Sequence, residues 1–201
     1  MALAELSGAR RGLPHLQMHN GTIWRWNRPV LGFEADGAPT LRLEHRVMSS
    51  SPSSADMCAN IALFVGLLRG LVRELGAGLR GPRLERRLPC ARARANFYAC
   101  ALHGLDAEVA WLDGEKTSVQ RLLLDKLLPL ARAELRRLRL QPRELEYLDF
   151  MEQRVATGIN GAAWQRSYIA KHGAGSASIR NLTGNYWRHQ LQGMPVHRWS
   201  L

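Results

Sequence analysis

The alternation of apolar and polar residues in two short runs constrains the fold of this chain most. Residues 22–28 (TIWRWNR) and residues 40–46 (TLRLEHR) alternate with a period of two, and residues 34–39 (EADGAP) between them are rich in turn formers. A period of two places alternate side chains on opposite faces of a strand, and two such runs around a turn are typical of an antiparallel hairpin. The sequence therefore predicts a hairpin within residues 1–48.

After residue 49 the pattern becomes helical. Ser53 and Asp56 form a candidate capping box for an apolar helix that ends near Gly76. A long helix through residues 117–138 should be kinked by Pro129, because proline removes a backbone donor. The other expected elements are a basic loop at 80–87, a helix at 91–103, an extended piece at 108–112, and helices near 142–156, 161–171 and 177–191.

These patterns predict an α+β fold in which a short hairpin region, residues 1–48, precedes a helical region, residues 49–201. A hairpin by itself is only marginally stable in water, and its two unpaired edges recruit other strands. We therefore expect the hairpin to belong to a larger sheet. The flanking strands would come from an N-terminal part outside this chain or from another chain.

The first candidate site is the strand Arg42-Leu-Glu44-His-Arg46, which places one carboxylate between two arginines on one face. A glutamate in such a place can bind Mg²⁺ through hard oxygen, while the arginines neutralise phosphate or carboxylate charge. The alternative is a ladder of ion pairs on a solvated sheet face, which contributes about 0–1 kcal/mol per pair. Spacing does not separate the two.

The second candidate is residues 19–29 (HNGTIWRWNRP), which combine His19, two tryptophans and Arg28 in a short segment. The tryptophans can equally be large buried apolar groups, and a single histidine is often structural. The sequence contains no glycine-rich phosphate loop of the GxxxxGK[ST] or GxGxxG kind. Any phosphate binding would therefore depend on arginines and a metal ion.

Taken together, several ordered motifs resemble the glutamate–cysteine ligase type 2 family of carboxylate–amine ligases, which belongs to the glutamine synthetase superfamily. The resemblance extends over nearly the whole chain. Besides residues 19–29 and 42–46, it rests on residues 52–56 (PSSAD), 95–99 (ANFYA), 103–107 (HGLDA), 127–131 (LLPLA), 154–165 (RVATGINGAAWQ) and 195–199 (PVHRW).

The resemblance implies that ATP phosphorylates the side-chain carboxylate of a glutamate-like acid, and that an amine then attacks the acyl phosphate to give an amide. It implies that Glu44 binds Mg²⁺ and that Arg46 and Arg28 face the reacting anions. The position of His19 is similar to that of the superfamily histidine near the metal and phosphate. We therefore expect His19, together with Arg42 on the face of Glu44, to contribute to the binding of ATP.

Members of this family are about twice as long, and their N-terminal half supplies further metal-binding carboxylates. The resemblance therefore implies that residues 1–201 are a C-terminal fragment of a catalytic domain. We expect the chain to need a missing N-terminal half or a partner chain for activity, and its unpaired strand edges also allow a homo-oligomer.

Composition favours a cytoplasmic protein without a membrane segment. The longest apolar run, residues 57–68, contains Asn60 and is shorter than the roughly 18–20 apolar residues of a membrane span, so it predicts a buried helix. The cysteines are odd in number and lack CxxC spacing, which favours reduced core thiols over a disulfide frame or a zinc site. They are Cys58, Cys90 and Cys100.

The net charge of +11, nearly all of it from arginine, keeps a second function class open. Arginines between residues 80 and 94, followed by Phe97 and Tyr98, mix cations with aromatic rings as RNA-binding surfaces do. The alternative is therefore a basic helical nucleic-acid-binding protein. Because the chain carries no standard nucleic-acid-binding motif, we rank this alternative well below the ligase.

Overall fold

The computed structural model describes residues 27–48, 50–76 and 82–201 of the chain. The fold is α+β, as the sequence predicts, with two small antiparallel sheets and a majority of helix. The chain divides after Ser50 into two compact units, which we call the hairpin unit and the helical unit.

The hairpin unit contains strands β1 (Asn27–Phe33) and β2 (Pro39–His45), paired antiparallel with Arg28 opposite Glu44. Gly37 closes the turn with a φ of 87°, a conformation that suits glycine. The predicted hairpin is therefore present. Its first strand continues to Phe33 instead of ending at Arg28, and residues 22–26 of the predicted strand lie outside the described residues.

The helical unit consists of helices joined by short connections, with one small sheet. The helices are α1 (Ser54–Leu75), α2 (Pro82–Arg87), α3 (Cys90–His103), α4 (Val119–Leu122), α5 (Leu128–Arg137), α6 (Pro142–Thr157), α7 (Gly161–His172) and α8 (Ser176–Gln192). Strands β3 (Glu108–Ala110) and β4 (Lys116–Ser118) form a second hairpin.

Helix α1 begins and ends as the sequence predicts. Ser53 is its N-cap, and the Ser53 hydroxyl accepts a hydrogen bond from the Asp56 backbone N–H at 3.2 Å. In a capping box the carboxylate of Asp56 would accept the backbone N–H of Ser53. Here the carboxylate instead accepts a hydrogen bond from the Ser53 hydroxyl, which lies 2.9 Å from Asp56 Oδ2. At the other end, Gly76 donates its N–H to the Val72 carbonyl.

The main core forms where α1 crosses α5 and α6. Ala59, Ala131 and Leu148 are completely buried there, and Leu128, Leu135, Met151 and Val155 complete the cluster. Gly66 lies against Ala131, since a Cβ built at Gly66 would come within 2.8 Å of Ala131. Small residues thus allow the two helix backbones to approach closely.

The structure differs from the prediction in two expected elements and contains one strand that was not expected. The expected basic loop at 80–87 contains helix α2, because its arginines and leucine are good helix formers. The long helix at 117–138 is two helices, α4 and α5, separated by a π-helical turn at Leu123–Leu127. That wider turn lies just before Pro129, whose ring would otherwise clash with the preceding turn. Strand β4 occupies the start of the same segment and was not predicted.

Helix α1 is the one helix among the described residues that is long and apolar enough to cross a membrane. In the helical unit one of its faces packs in the core, and its other face exposes a row of apolar side chains: Met57, Ile61, Val65, Leu68 and Val72. The helix is thus buried on one face only, whereas the sequence predicted a buried helix. Of the three cysteines, all free, Cys90 is exposed and is therefore not the core thiol that composition predicted.

Candidate functional site

The candidate site lies on one face of the hairpin, where Glu44 accepts hydrogen bonds from two arginines. Arg28 Nε and Nη2 lie 3.0 and 2.8 Å from Glu44 Oε2, and Arg46 Nε lies 2.8 Å from Glu44 Oε1. Arg28 reaches the carboxylate because the register places it opposite Glu44, and Arg46 reaches it because it follows two positions later. The structure thus brings these three residues together on one face, as the alternation predicts.

The cluster carries a net positive charge and holds its carboxylate ionised. The hydrogen bond from Arg46 lowers the pKa of Glu44, and partial desolvation opposes this change. The hydrogen bond and the charge of Arg28 lower the pKa further. Both arginine side chains are largely buried, with 21% of the Arg28 side chain and 25% of the Arg46 side chain exposed. Two fixed guanidinium groups around one acid can attract an additional anion.

The other two predicted ligand-binding residues are placed differently. Arg42 lies on the same face as Glu44 and pairs across the hairpin with Val30. Its Nη2 lies next to Gly32, two residues closer to the turn than Val30, at 3.2 Å from where a Cβ of residue 32 would be. The Arg42 guanidinium thus extends toward the turn, away from Glu44. His19 lies outside the described residues.

The described residues do not form a magnesium site by themselves. Within residues 27–48, 50–76 and 82–201, no three His, Cys, Asp or Glu side chains come together as a metal-binding group. Each oxygen of Glu44 already accepts an arginine hydrogen bond, and Mg²⁺ prefers several oxygen ligands in an octahedron. Mg²⁺ binding at Glu44 would need ligands from elsewhere, so this role stays a prediction.

A second polar cluster, centred on Asp56, was missed by sequence reasoning. Asp56 is completely buried, and its Oδ1 accepts a hydrogen bond from Arg154 Nη1 at 3.1 Å. Its Oδ2 accepts the backbone N–H of Val196 at 3.0 Å. The carboxylate therefore joins the start of α1, the end of α6 and the C-terminal segment. The only signal in the sequence was the candidate capping role of Asp56.

Arg154 is held on its other side by Asn60 and by the Met151 sulfur. Burial lowers the pKa of the Arg154 guanidinium, while the charge of Asp56 and its hydrogen bond raise it. A buried ion pair adds little net stability, but removing one partner leaves the other charge unpaired, and this pair joins α1 to α6. We interpret this cluster as structural.

The C-terminal segment carries a histidine that should make stability depend on pH. His197 Nε2 lies 2.8 Å from Gln153 Oε1, while its Nδ1 is buried and has no hydrogen-bond partner among the described residues. Burial lowers the pKa of His197 below its ordinary value of 6.5, and the charge of Arg198 lowers it further. The charge of Asp56 opposes this change, and the charge of Arg154 adds the smallest lowering effect.

Because the folded chain binds this proton less tightly than the unfolded chain, His197 should stabilise the fold fully only above about pH 6.5. Its contribution should be lost as the pH falls from there through the folded pKa. In the His197→Gln variant, the urea midpoint should change less between about pH 8 and about pH 5 than in the parent. An equal change in both proteins would contradict this assignment.

The basic segment that raised the nucleic-acid alternative forms helices α2 and α3. Arg94 lies over the Tyr98 ring with its Cζ 5.9 Å from the ring centroid, and the Tyr98 side chain is exposed. Arg92 is used within the fold, because its Nη1 donates to the backbone carbonyls of Arg87 and Trp111. Part of the predicted charge cluster therefore supports the local fold.

Compared with known proteins, the chain matches no family model, no curated protein and no solved structure. The resemblance to carboxylate–amine ligases thus rests on the sequence motifs alone.

Proposed function

We propose that the chain is part of an ATP-dependent carboxylate–amine ligase of the glutamate–cysteine ligase type. The observation that supports the proposal best is the Arg28–Glu44–Arg46 cluster on one hairpin face. A reaction through an acyl phosphate needs cations that bind the transferred phosphoryl group or the carboxylate of a glutamate-like acid. Two guanidinium groups held by one carboxylate meet this need, because they are pre-positioned before the anion binds.

Each residue of the cluster has a distinct part in the proposed mechanism. Arg46 and Arg28 bind and orient the reacting anions, and Glu44 fixes both guanidinium groups. Arg42 extends the positive face toward the turn, where a more distant phosphate of ATP can lie. Mg²⁺ would supply charge neutralisation at the phosphates, with ligands from outside the described residues.

The proposal includes a need for further protein. Among the described residues, the sheet that carries the cluster has two strands and one carboxylate. A missing half, a partner chain or a second copy of this chain would supply the remaining strands and acids. The acid and the amine would be small molecules, and the protein would work in the cytoplasm without a membrane.

The test is amide formation from glutamate and a panel of amines, followed by ADP release. It is performed with the chain alone and with the polypeptide encoded upstream, in cis or in trans. We expect activity only in the longer assembly. There, Arg46→Gln or Arg28→Gln should lower kcat/KM by about 10²–10³-fold, as for the loss of one charge-stabilising donor. The control is Arg166→Gln on α7, which should change nothing.

A Mg²⁺ titration separates the two possible roles of Glu44. If Glu44 positions the arginines, Glu44→Gln should lower kcat at saturating Mg²⁺; if it binds the metal, the variant should instead need more Mg²⁺. Turnover by the isolated chain would contradict the need for further protein. Equal activity of all variants and the parent would contradict the site.

The exposed Arg94–Tyr98 pair favours the nucleic-acid-binding alternative, since aromatic rings and arginines together bind unstacked bases. Binding tests with duplex DNA and single-stranded RNA at physiological salt decide it. We expect weak binding that an Arg86→Ala and Arg87→Ala double variant leaves unchanged. Sub-micromolar affinity that the double variant abolishes would favour this alternative over the ligase.

A further inference from the structure

The helical unit contains a cleft that the proposed ligase site does not use. It has a volume of about 300 Å³ and lies between α1, α2, the β3–β4 turn and the π-helical turn. This volume is at the lower limit of typical small-molecule sites. About half of its wall is apolar, with contributions from Leu71, Trp111, Leu112, Leu127 and Leu130.

Four charged side chains complete the lining, two acids and two bases. Asp113 and Lys126 pair with each other, because Lys126 Nζ lies 2.7 Å from Asp113 Oδ2. Glu74 and Arg87 also line the cleft. Within the described part of the chain, their side chains form no hydrogen bond or ion pair. The cleft thus combines an internally neutralised pair with one further acid and one further base in its lining.

The π-helical turn builds one side of this cleft. It carries Lys126 and Leu127, which an uninterrupted α-helix would present at a different angle. Single π-helical turns in proteins occur frequently at functional sites. The local departure from helix geometry and the cleft therefore coincide.

We propose that this cleft binds a small zwitterion with an apolar side chain, such as an α-amino acid. Arg87 would bind the carboxylate, Glu74 would bind the ammonium group, and the leucine and tryptophan wall would cover the side chain. A ligand with net charge fits less well, because the four charged groups of the lining balance one another. The site is independent of the proposed ligase activity.

The probe is L-leucine, titrated into the full chain and followed by NMR at the indole of Trp111. Two comparators keep the isobutyl group and each lack one charge: 3-methylbutylamine has no carboxylate, and 4-methylpentanoate has no ammonium group. We expect leucine to bind at least about tenfold more tightly than either comparator, because each comparator lacks one of the two charged groups and so loses one charged hydrogen bond.

Two variants assign the charges. Arg87→Gln should weaken leucine binding about tenfold and leave the binding of 3-methylbutylamine unchanged; Glu74→Gln should weaken leucine similarly and leave 4-methylpentanoate unchanged. The matched control is Arg86→Gln on the same helix, outside the cleft lining, which should bind leucine like the parent. The proposal is overturned if leucine does not bind, if it binds no more tightly than both comparators, or if Arg86→Gln weakens it equally.

Discussion

Replacing Asp56 with alanine is expected to destabilise the helical unit by about 3–5 kcal/mol. The change leaves the Arg154 side chain, which is only 12% exposed, without the counter-charge of Asp56. It also removes the acceptor of the Val196 backbone N–H, so the C-terminal segment loses its attachment to the start of α1. The measurement is urea unfolding followed by far-UV circular dichroism, which reports on the helices.

A double-mutant cycle shows whether the effect comes from the ion pair. Arg154→Leu should cost less in the Asp56→Ala background than in the parent, by about 0.5–3 kcal/mol, because the buried charge is then already unpaired. The matched control is Asp149→Ala, which removes a half-exposed partner of Arg132 and should cost about 0–1 kcal/mol. Additive losses in the cycle would contradict the coupling.

Replacing Gly66 with alanine is expected to destabilise the helical unit by about 1–3 kcal/mol, although alanine is the better helix former. A Cβ at this position would come within 2.8 Å of both the Cβ and the carbonyl oxygen of Ala131. Because one of these atoms is backbone, α1 and α5 would have to separate. The separation would open the core that Ala59 and Leu135 line.

Gly184 provides the matched control, since it lies inside α8 and a Cβ there would meet nothing within 4 Å. Gly184→Ala should therefore stabilise the fold by about 0.5–1 kcal/mol, which is the helix-propensity difference alone. Urea unfolding of both variants gives the comparison. If Gly66→Ala also stabilises, the close approach of the two helices at Ala131 is wrong.

Helix ends and strand faces could be predicted from the sequence where a single local pattern determined them. Ser53 and Gly76 fixed the limits of α1, and the glycines at 158, 173 and 193 ended the last three helices close to where they were expected. The period of two also placed Arg28, Glu44 and Arg46 on one face of the hairpin. Each of these features depends on residues close in sequence or on a single strand register.

The tertiary structure decided the features that depend on distant contacts, on helix packing or on the rotamer of one side chain. Arg154 pairs with Asp56 across 98 positions, and neither residue type nor spacing predicts such a contact. The π-helical turn arises because Pro129 must be accommodated within a packed helix, where the sequence predicts only a kink. The period of two fixes the face on which Arg42 lies but not its rotamer. That rotamer directs the guanidinium toward Gly32 and the turn.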